Sequence, residues 1–270
     1  MQNLEFISCD AWEGARYKAL PQLTALERLS IAGSPTMFNI LHQLPHLQKL
    51  KHLDVNSCDS RITPALDAMA PLSCLTYLSL ASNTLPRVPE FICRCSLLQA
   101  LDLENCTTLR SLPSWLCNLH LTYLGLSSCT RLGTLPSSIS YLPLTSLDLS
   151  SCWQLCSLPA SILNMPLQAL KLSACTSLTR MPATLGGLGH LTALDCPGCV
   201  SLVALPASIC GLTSLQRLQL SACRSLAYLP QTIGHLTRLT HLDLSNSPMM
   251  KQLPNVICHL GQTLKVSPPA

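Results

Sequence analysis

Charge is scarce in this chain of 270 residues: 11% are Asp, Glu, Lys or Arg, against 48% hydrophobic. Aromatic residues are scarcer still, at 4%. High apolar content with little charge excludes a disordered chain. The net charge is only +4, no run of five basic residues occurs, and few aromatics exist to stack on bases. Nucleic-acid binding is therefore not expected. No apolar stretch approaches the roughly 18 residues that a membrane-spanning helix needs, so no membrane association is expected. The opening segment, MQNLEFISCDAWEGARYKAL, lacks a basic stretch followed by an apolar run. A secreted protein is not expected, and the 16 cysteines should stay reduced in the cytosol or nucleus.

Catalytic signatures are missing as well. Gly186-Gly187-Leu188-Gly189 is not followed by Lys-Ser or Lys-Thr, so it is no phosphate loop. The 8 histidines show no HExxH spacing, and no serine sits in GxSxG. His120, His190, His235 and His259 fall near turns and are expected at the surface. Neither an enzyme nor a bound cofactor is expected.

What the chain does have is one segment, many times over. Residues 101–119 read LDLENCTTLRSLPSWLCNL, and 147–165 read LDLSSCWQLCSLPASILNM. The first core leucines are Leu29, Leu53, Leu78, Leu101, Leu124, Leu147, Leu170, Leu194, Leu218 and Leu242, spaced by 23 to 25 residues. The alternation Leu101-Asp102-Leu103 predicts a short strand with leucine inward and aspartate outward. Leu109, Leu112, Leu116 and Leu119 follow at three- or four-residue spacing, which suits a 3-10 or short helical turn. A proline recurs at one offset: Pro89, Pro113, Pro136, Pro159, Pro182, Pro206, Pro230 and Pro254. Its fixed φ and missing N–H suit the start of that turn and forbid a strand there. One repeat cannot bury its own apolar face, so neighbours must stack into a solenoid.

The ends are irregular. Residues 1–25 lack the proline offset, with Trp12 and Ala15 in place of leucines, and so do 34–50 and 59–74. The stretch 60–72 predicts a longer convex helix, and TLKV at 263–266 a truncated strand. We read one domain over 1–270: an irregular first repeat at 1–25, repeats at 26–260, and a strand and tail at 261–270.

Cys9, Cys58, Cys106, Cys129, Cys152, Cys175, Cys199 and Cys223 share one repeat position, also filled by Ser34, Asn83 and Ser247. A small buried side chain bonding nearby backbone is the expected role there. Cys196-Pro-Gly-Cys199 has the CxxC spacing of metal and redox motifs. In register, however, Cys196 replaces a core leucine and no second CxxC accompanies it, so no metal site is expected. Cys117, Cys210 and Cys258 share a second column, too far apart to form one site.

The non-core strand positions point to one face of the sheet. Acidic residues at that face are Glu5, Glu27, Asp54, Asp102, Glu104, Asp148, Asp195 and Asp243, eight of the 13. Basic residues there are Arg28, Lys51, Lys171 and Arg217, four of the 17. The face is thus net acidic in a net basic chain. Tyr77 and Tyr123 flank core leucines on it, and Trp153 follows a bend cysteine at the rim. Arg61, Arg110, Arg131, Arg180 and Arg224 fall in the loop after the bend. The candidate protein-binding residues are Tyr77, Asp102, Glu104, Tyr123, Asp148, Lys171, Asp195, Arg217 and Asp243, with Trp153 at the rim. The competing reading makes LDLS a filler motif with solvated aspartates.

These units resemble leucine-rich repeats of the LPxxI kind. Such repeats are familiar from plant intracellular immune receptors with TIR domains, from Ras-scaffold proteins and from injected bacterial effectors. The resemblance covers about 26–260 and implies a horseshoe of about 11 repeats, with a parallel concave sheet and short convex turns. It further implies a monomeric, non-catalytic scaffold for a protein partner, working in cytoplasmic signalling or defence, and the net acidic face adds the expectation that this partner has a basic surface. An alternative is the recognition part of a larger ubiquitin ligase or nucleotide-binding receptor. No nucleotide-binding, TIR, kinase or F-box segment accompanies the repeats in these 270 residues.

Overall fold

Each repeat places one leucine under a strand, and the strands join edge to edge. The computed structural model describes residues 3–7, 20, 22–32, 41–58, 62–67, 72–260 and 264–269. The strands are β1 (Asn3–Ile7), β2 (Arg28–Ala32), β3 (His52–Asp54), β4 (Tyr77–Ser79), β5 (Ala100–Asp102) and β6 (Tyr123–Gly125). Then come β7 (Ser146–Asp148), β8 (Ala169–Lys171), β9 (Ala193–Asp195), β10 (Arg217–Gln219), β11 (His241–Asp243) and β12 (Lys265–Ser267). They form one twelve-stranded sheet in sequence order, with every pair parallel. Leucine sits opposite leucine along the ladder, as in Leu78 against Leu101 and Leu101 against Leu124. That register is the only one that buries the leucine row, because a one-residue slip would turn it outward. Leu53, Leu78, Leu101 and Leu147 are fully buried in one continuous core. The parallel solenoid expected from the repeats is what forms.

The proline column works as the spacing predicts. Pro113 has extended backbone (φ −72°, ψ 146°) and its carbonyl accepts from Leu116 N–H at 3.1 Å, which opens the 3-10 turn Ser114–Asn118. Pro136, Pro159, Pro206, Pro230 and Pro254 do the same for the turns that follow them. After Pro182 the turn shortens to Leu185–Gly187. Here the glycines serve packing. A Cβ on Gly186 would strike the Ser208 carbonyl, and one on Gly211 would lie 2.9 Å from the Gly186 carbonyl carbon. Two convex turns meet backbone to backbone.

The irregular repeat carries helix α1 (Ile62–Asp67), shorter than the 60–72 predicted, with 59–61 and 68–71 outside the described residues. The last strand is Lys265–Ser267 rather than 263–266, with Val266 rather than a leucine against Leu242. Cys9, Trp12, Ala15, Ser34 and Arg61 lie outside the described residues, as do the side chains of Glu5, Cys258 and His259.

A backbone feature not evident from the repeat alone sits one residue before the cysteine column. Ser57, Ser82, Asn105, Ser128, Ser151, Ala174, Ala222 and Asn246 all have φ of 54° to 60°, and Gly198 has 72°. Among the described residues, the repeats leave their strands through a left-handed residue, and at Gly198 that residue is the glycine best suited to it. Gly198 of the CxxC segment is therefore a register residue.

Candidate functional site

The cysteine column is a ladder. From Cys106 onward each thiol donates back to a carbonyl at the strand exit of the preceding repeat, Cys106 to Leu80 (3.3 Å), Cys129 to Leu103 (3.1 Å), Cys152 to Leu126 (3.2 Å) and Cys175 to Leu149 (3.2 Å), whereas Cys58 donates to Asn56 of its own repeat (3.5 Å). Cys199 to Leu172 (3.0 Å) and Cys223 to Cys196 (3.2 Å) continue it. Burial pushes the thiols of Cys106, Cys152 and Cys223 up to about 12, and those of Cys129 and Cys175 up as well. A nucleophile or metal ligand needs the thiolate, and these sites favour the thiol. Cys196 is buried beside Cys199; the hydrogen bond between them and then burial raise the Cys196 pKa, while the same bond lowers that of Cys199. Among the described residues, no group of three or more His, Cys, Asp or Glu is placed to hold a metal.

The sheet face holds the candidate residues in two unequal sets. One is a set of neutralised acids. Asp148 pairs with Lys171 (3.2 Å), Asp195 with Arg217 (3.3 Å), and Glu27 with Lys51 (3.1 Å). Lys171 and Arg217 are thus engaged rather than presented to a partner. Burial works against the Asp148 charge, but hydrogen bonds from Ser150 and Lys171 outweigh it and hold its pKa low. These pairs are about half exposed on the basic side and carry little stability.

The other set lies across β3 to β6, and among the described residues its acids pair with no cation. Asp102 accepts from the Glu104 N–H at 2.9 Å and faces the Ser79 hydroxyl at 3.1 Å. That one hydroxyl also stands 2.7 Å from Asn56 Oδ1, so it can satisfy one acceptor at a time. Tyr123 donates to Glu104 Oε1 at 3.5 Å. Asp54 accepts from Ser30 at 3.3 Å through one oxygen, while its other oxygen is buried with no partner. Burial raises the Asp54 pKa, and the Asp102 charge raises it further against the Ser30 bond. Asp54, Asp102 and Glu104 make no ion pair among the described residues.

The two tyrosines stand beside this charge. Tyr77 stacks on His52 with ring centroids 4.0 Å apart and planes 5° from parallel. Burial and then the Asp102 charge raise its hydroxyl pKa, while burial and then Arg28 lower that of His52. Tyr123 is 44% exposed, and burial, Asp102 and Glu104 push its hydroxyl up to about 12. Gly125 makes the group possible. A Cβ there would strike Asp102 and stand 2.9 Å from the Tyr123 hydroxyl.

Of the remaining candidates, Asp243 only binds the Ser245 N–H at 3.0 Å. Asp102 and Asp148 make the same turn bond two residues on, so the LDLS aspartate also shapes the strand exit in support of the filler reading. Trp153 is 54% exposed on the loop beyond the bend, at a different edge from the tyrosine column. Sequence reading missed His52, Ser79, Asn56 and Gly125. The signal for His52 was present, because it precedes Leu53 as Tyr77 precedes Leu78.

The leucine-rich repeat family model matches residues 120–142 and 238–260. Among solved structures, the leucine-rich repeat domain of the type III effector XopL is similar at 24% identity and TM-score 0.55. The match covers 94% of this chain and 79% of that one. A chain of the Drosophila Toll–Spätzle complex is similar at 21% identity and TM-score 0.64, over 91% of this chain but 36% of that one. No curated protein matches. The two matched repeats lie within an unbroken ladder of parallel strands and 3-10 turns, and the fold is the leucine-rich repeat solenoid of these solved structures.

Proposed function

We propose that the chain is a non-catalytic scaffold whose sheet face docks a basic segment of a protein partner, centred on Tyr77, Tyr123, Asp54, Asp102 and Glu104. One observation carries this reading. The carboxylates of β7 to β9 are neutralised by neighbours, whereas those at β3 to β6 pair with no cation among the described residues and stand beside two tyrosines. A partner's arginine or lysine supplies the missing charge, and the tyrosine rings supply rigid apolar contact. The proposal also makes the chain a monomer working in cytoplasmic signalling or defence. The described cysteines are all free thiols, which suits a reducing compartment.

The test is capture of binding proteins by the intact chain beside a variant carrying Tyr77→Ala, Tyr123→Ala and Asp102→Lys. A partner retained by the intact chain and lost by the variant supports the reading. Equal affinity of an identified partner for both would sink it.

A further inference from the structure

Thr63 is 9% exposed, lines an open cleft of about 680 Å³, and its hydroxyl has no hydrogen-bond partner. Thr108 lines the same cleft, and its hydroxyl is likewise buried and unpartnered. Four buried side-chain polar atoms lack partners among the described residues, and two belong to the wall of this one cleft. Folded proteins rarely leave such groups unmet, so two together mark a place where a partner comes from outside.

The same wall is cationic. Arg87, Arg110 and Arg131 line it with one carboxylate, Asp67. Arg87 is spent on that carboxylate through a two-pronged contact, Nη2 to Oδ2 at 2.6 Å and Nη1 to Oδ1 at 3.3 Å. Arg110 and Arg131 make no ion pair among the described residues. With Arg87 held by Asp67 and, at 3.8 Å, by Glu90, the unpaired charges at the cleft are those of Arg110 and Arg131. It crosses the flank of the four repeats β3 to β6, on the loops beyond the bend, and shares no residue with the tyrosine face. The docking proposal uses none of these arginines.

We propose that this cleft binds a phosphate monoester. Arg110 and Arg131 grip its oxygens, since a planar guanidinium fork matches phosphate geometry and stays charged at any physiological pH. The hydroxyls of Thr63, in helix α1, and Thr108, in the turn after β5, donate to it after a χ1 rotation between staggered rotamers. A carboxylate offers two oxygens and one charge; a phosphate monoester offers three oxygens and nearly two charges, and so uses both arginines and both hydroxyls. The shared chemistry has two sources, a free phosphorylated small molecule and a phosphorylated side chain of another protein.

The experiment is titration of the intact chain, followed by calorimetry and by the NMR signals of arginine Nε–H and threonine methyl groups. The probes are inorganic phosphate, O-phosphoserine, a phosphoserine peptide and the same peptide with glutamate in place of phosphoserine. The phosphate probes should bind, and Arg110→Gln with Arg131→Gln should weaken them at least about tenfold while the thermal melt is kept. Thr63→Val with Thr108→Val should weaken binding severalfold without loss of stability, because the methyl replaces a hydroxyl that has no partner. Equal affinity for phosphate and for the peptide identifies a small-molecule site; tighter binding of the phosphopeptide identifies a protein source. Binding unchanged in the arginine variant overturns the proposal. So does a glutamate peptide that binds as tightly, or no phosphate probe binding the intact chain at about 10 mM.

Discussion

The Cys152 thiol donates to the carbonyl oxygen of Leu126, 3.2 Å away in the preceding repeat. That bond ties the bend of one repeat to the strand exit of the last, and the column repeats it with other donors. At Asn83 the side-chain amide reaches Val55 O at 2.6 Å and Leu80 O at 2.8 Å; at Ser247 the hydroxyl reaches Leu220 O at 3.0 Å. The position therefore selects a small buried donor, and cysteine is its apolar version.

Replacing that donor has a defined cost. Cys152→Ala leaves the Leu126 carbonyl unpaired and a small void, and should lower stability by about 1–2 kcal/mol. Cys152→Ser restores a donor that Ser247 already uses, and should recover most of the loss. Urea midpoints of the two variants measure this, and equal midpoints would show that the thiol bond contributes nothing.

Alkaline pH should unfold the protein through the same column. Unfolded thiols ionise near 9.0, whereas Cys106, Cys152 and Cys223 hold their protons to about 12 in the fold. Between those values the folded state binds more protons, so stability is full below pH 9 and falls as pH rises toward 12. The urea midpoint should drop between about pH 8 and about pH 10.5. Native alkylation should mark exposed Cys93 and Cys156 well before the ladder cysteines, as read by peptide mass spectrometry. Rapid native labelling of Cys129 or Cys175 would contradict the ladder.

The left-handed column offers a gain. Ala174 and Ala222 each hold φ at 56°, where a Cβ crowds the following carbonyl. Ala222→Gly removes that strain at some cost in unfolded-state entropy, and should stabilise by about 0.5–1 kcal/mol. A lower thermal midpoint would mean that the alanine methyl packs more than its backbone strains.

Asp54 should behave as a carboxylate held against its preference. Its folded pKa lies above the unfolded 3.8, so its charge costs stability at neutral pH and the cost vanishes as pH falls through the folded value. Asp54→Asn should raise the urea midpoint at neutral pH, with the gain shrinking to nothing near pH 4. A gain that persists in acid would assign the effect to hydrogen bonding instead of charge.

Much of this was legible from spacing. The leucine period set strand, register and core, because burying one leucine row leaves no other pairing. The prolines announced the 3-10 turns, and column alignment placed Cys199 among packed bend residues. The candidate face was legible only in outline. Sequence could place Asp102, Asp148, Lys171 and Arg217 on one surface, but not say which charges cancel. That depends on side chains reaching across strands some 23 residues apart, as Lys171 does to Asp148.

By itself, the sequence determined the solenoid, since a repeated apolar offset has one way to bury itself by stacking. Only the tertiary structure decided where charge is left over. It set Tyr77 on His52, opened room over Gly125 for Asp102 and Tyr123, and gathered Thr63, Thr108, Arg110 and Arg131 from successive repeats into one cleft. The reason is physical. Backbone burial follows a local pattern that every repeat carries, whereas electrostatic compensation is settled between repeats, where each side chain meets neighbours that the period does not specify.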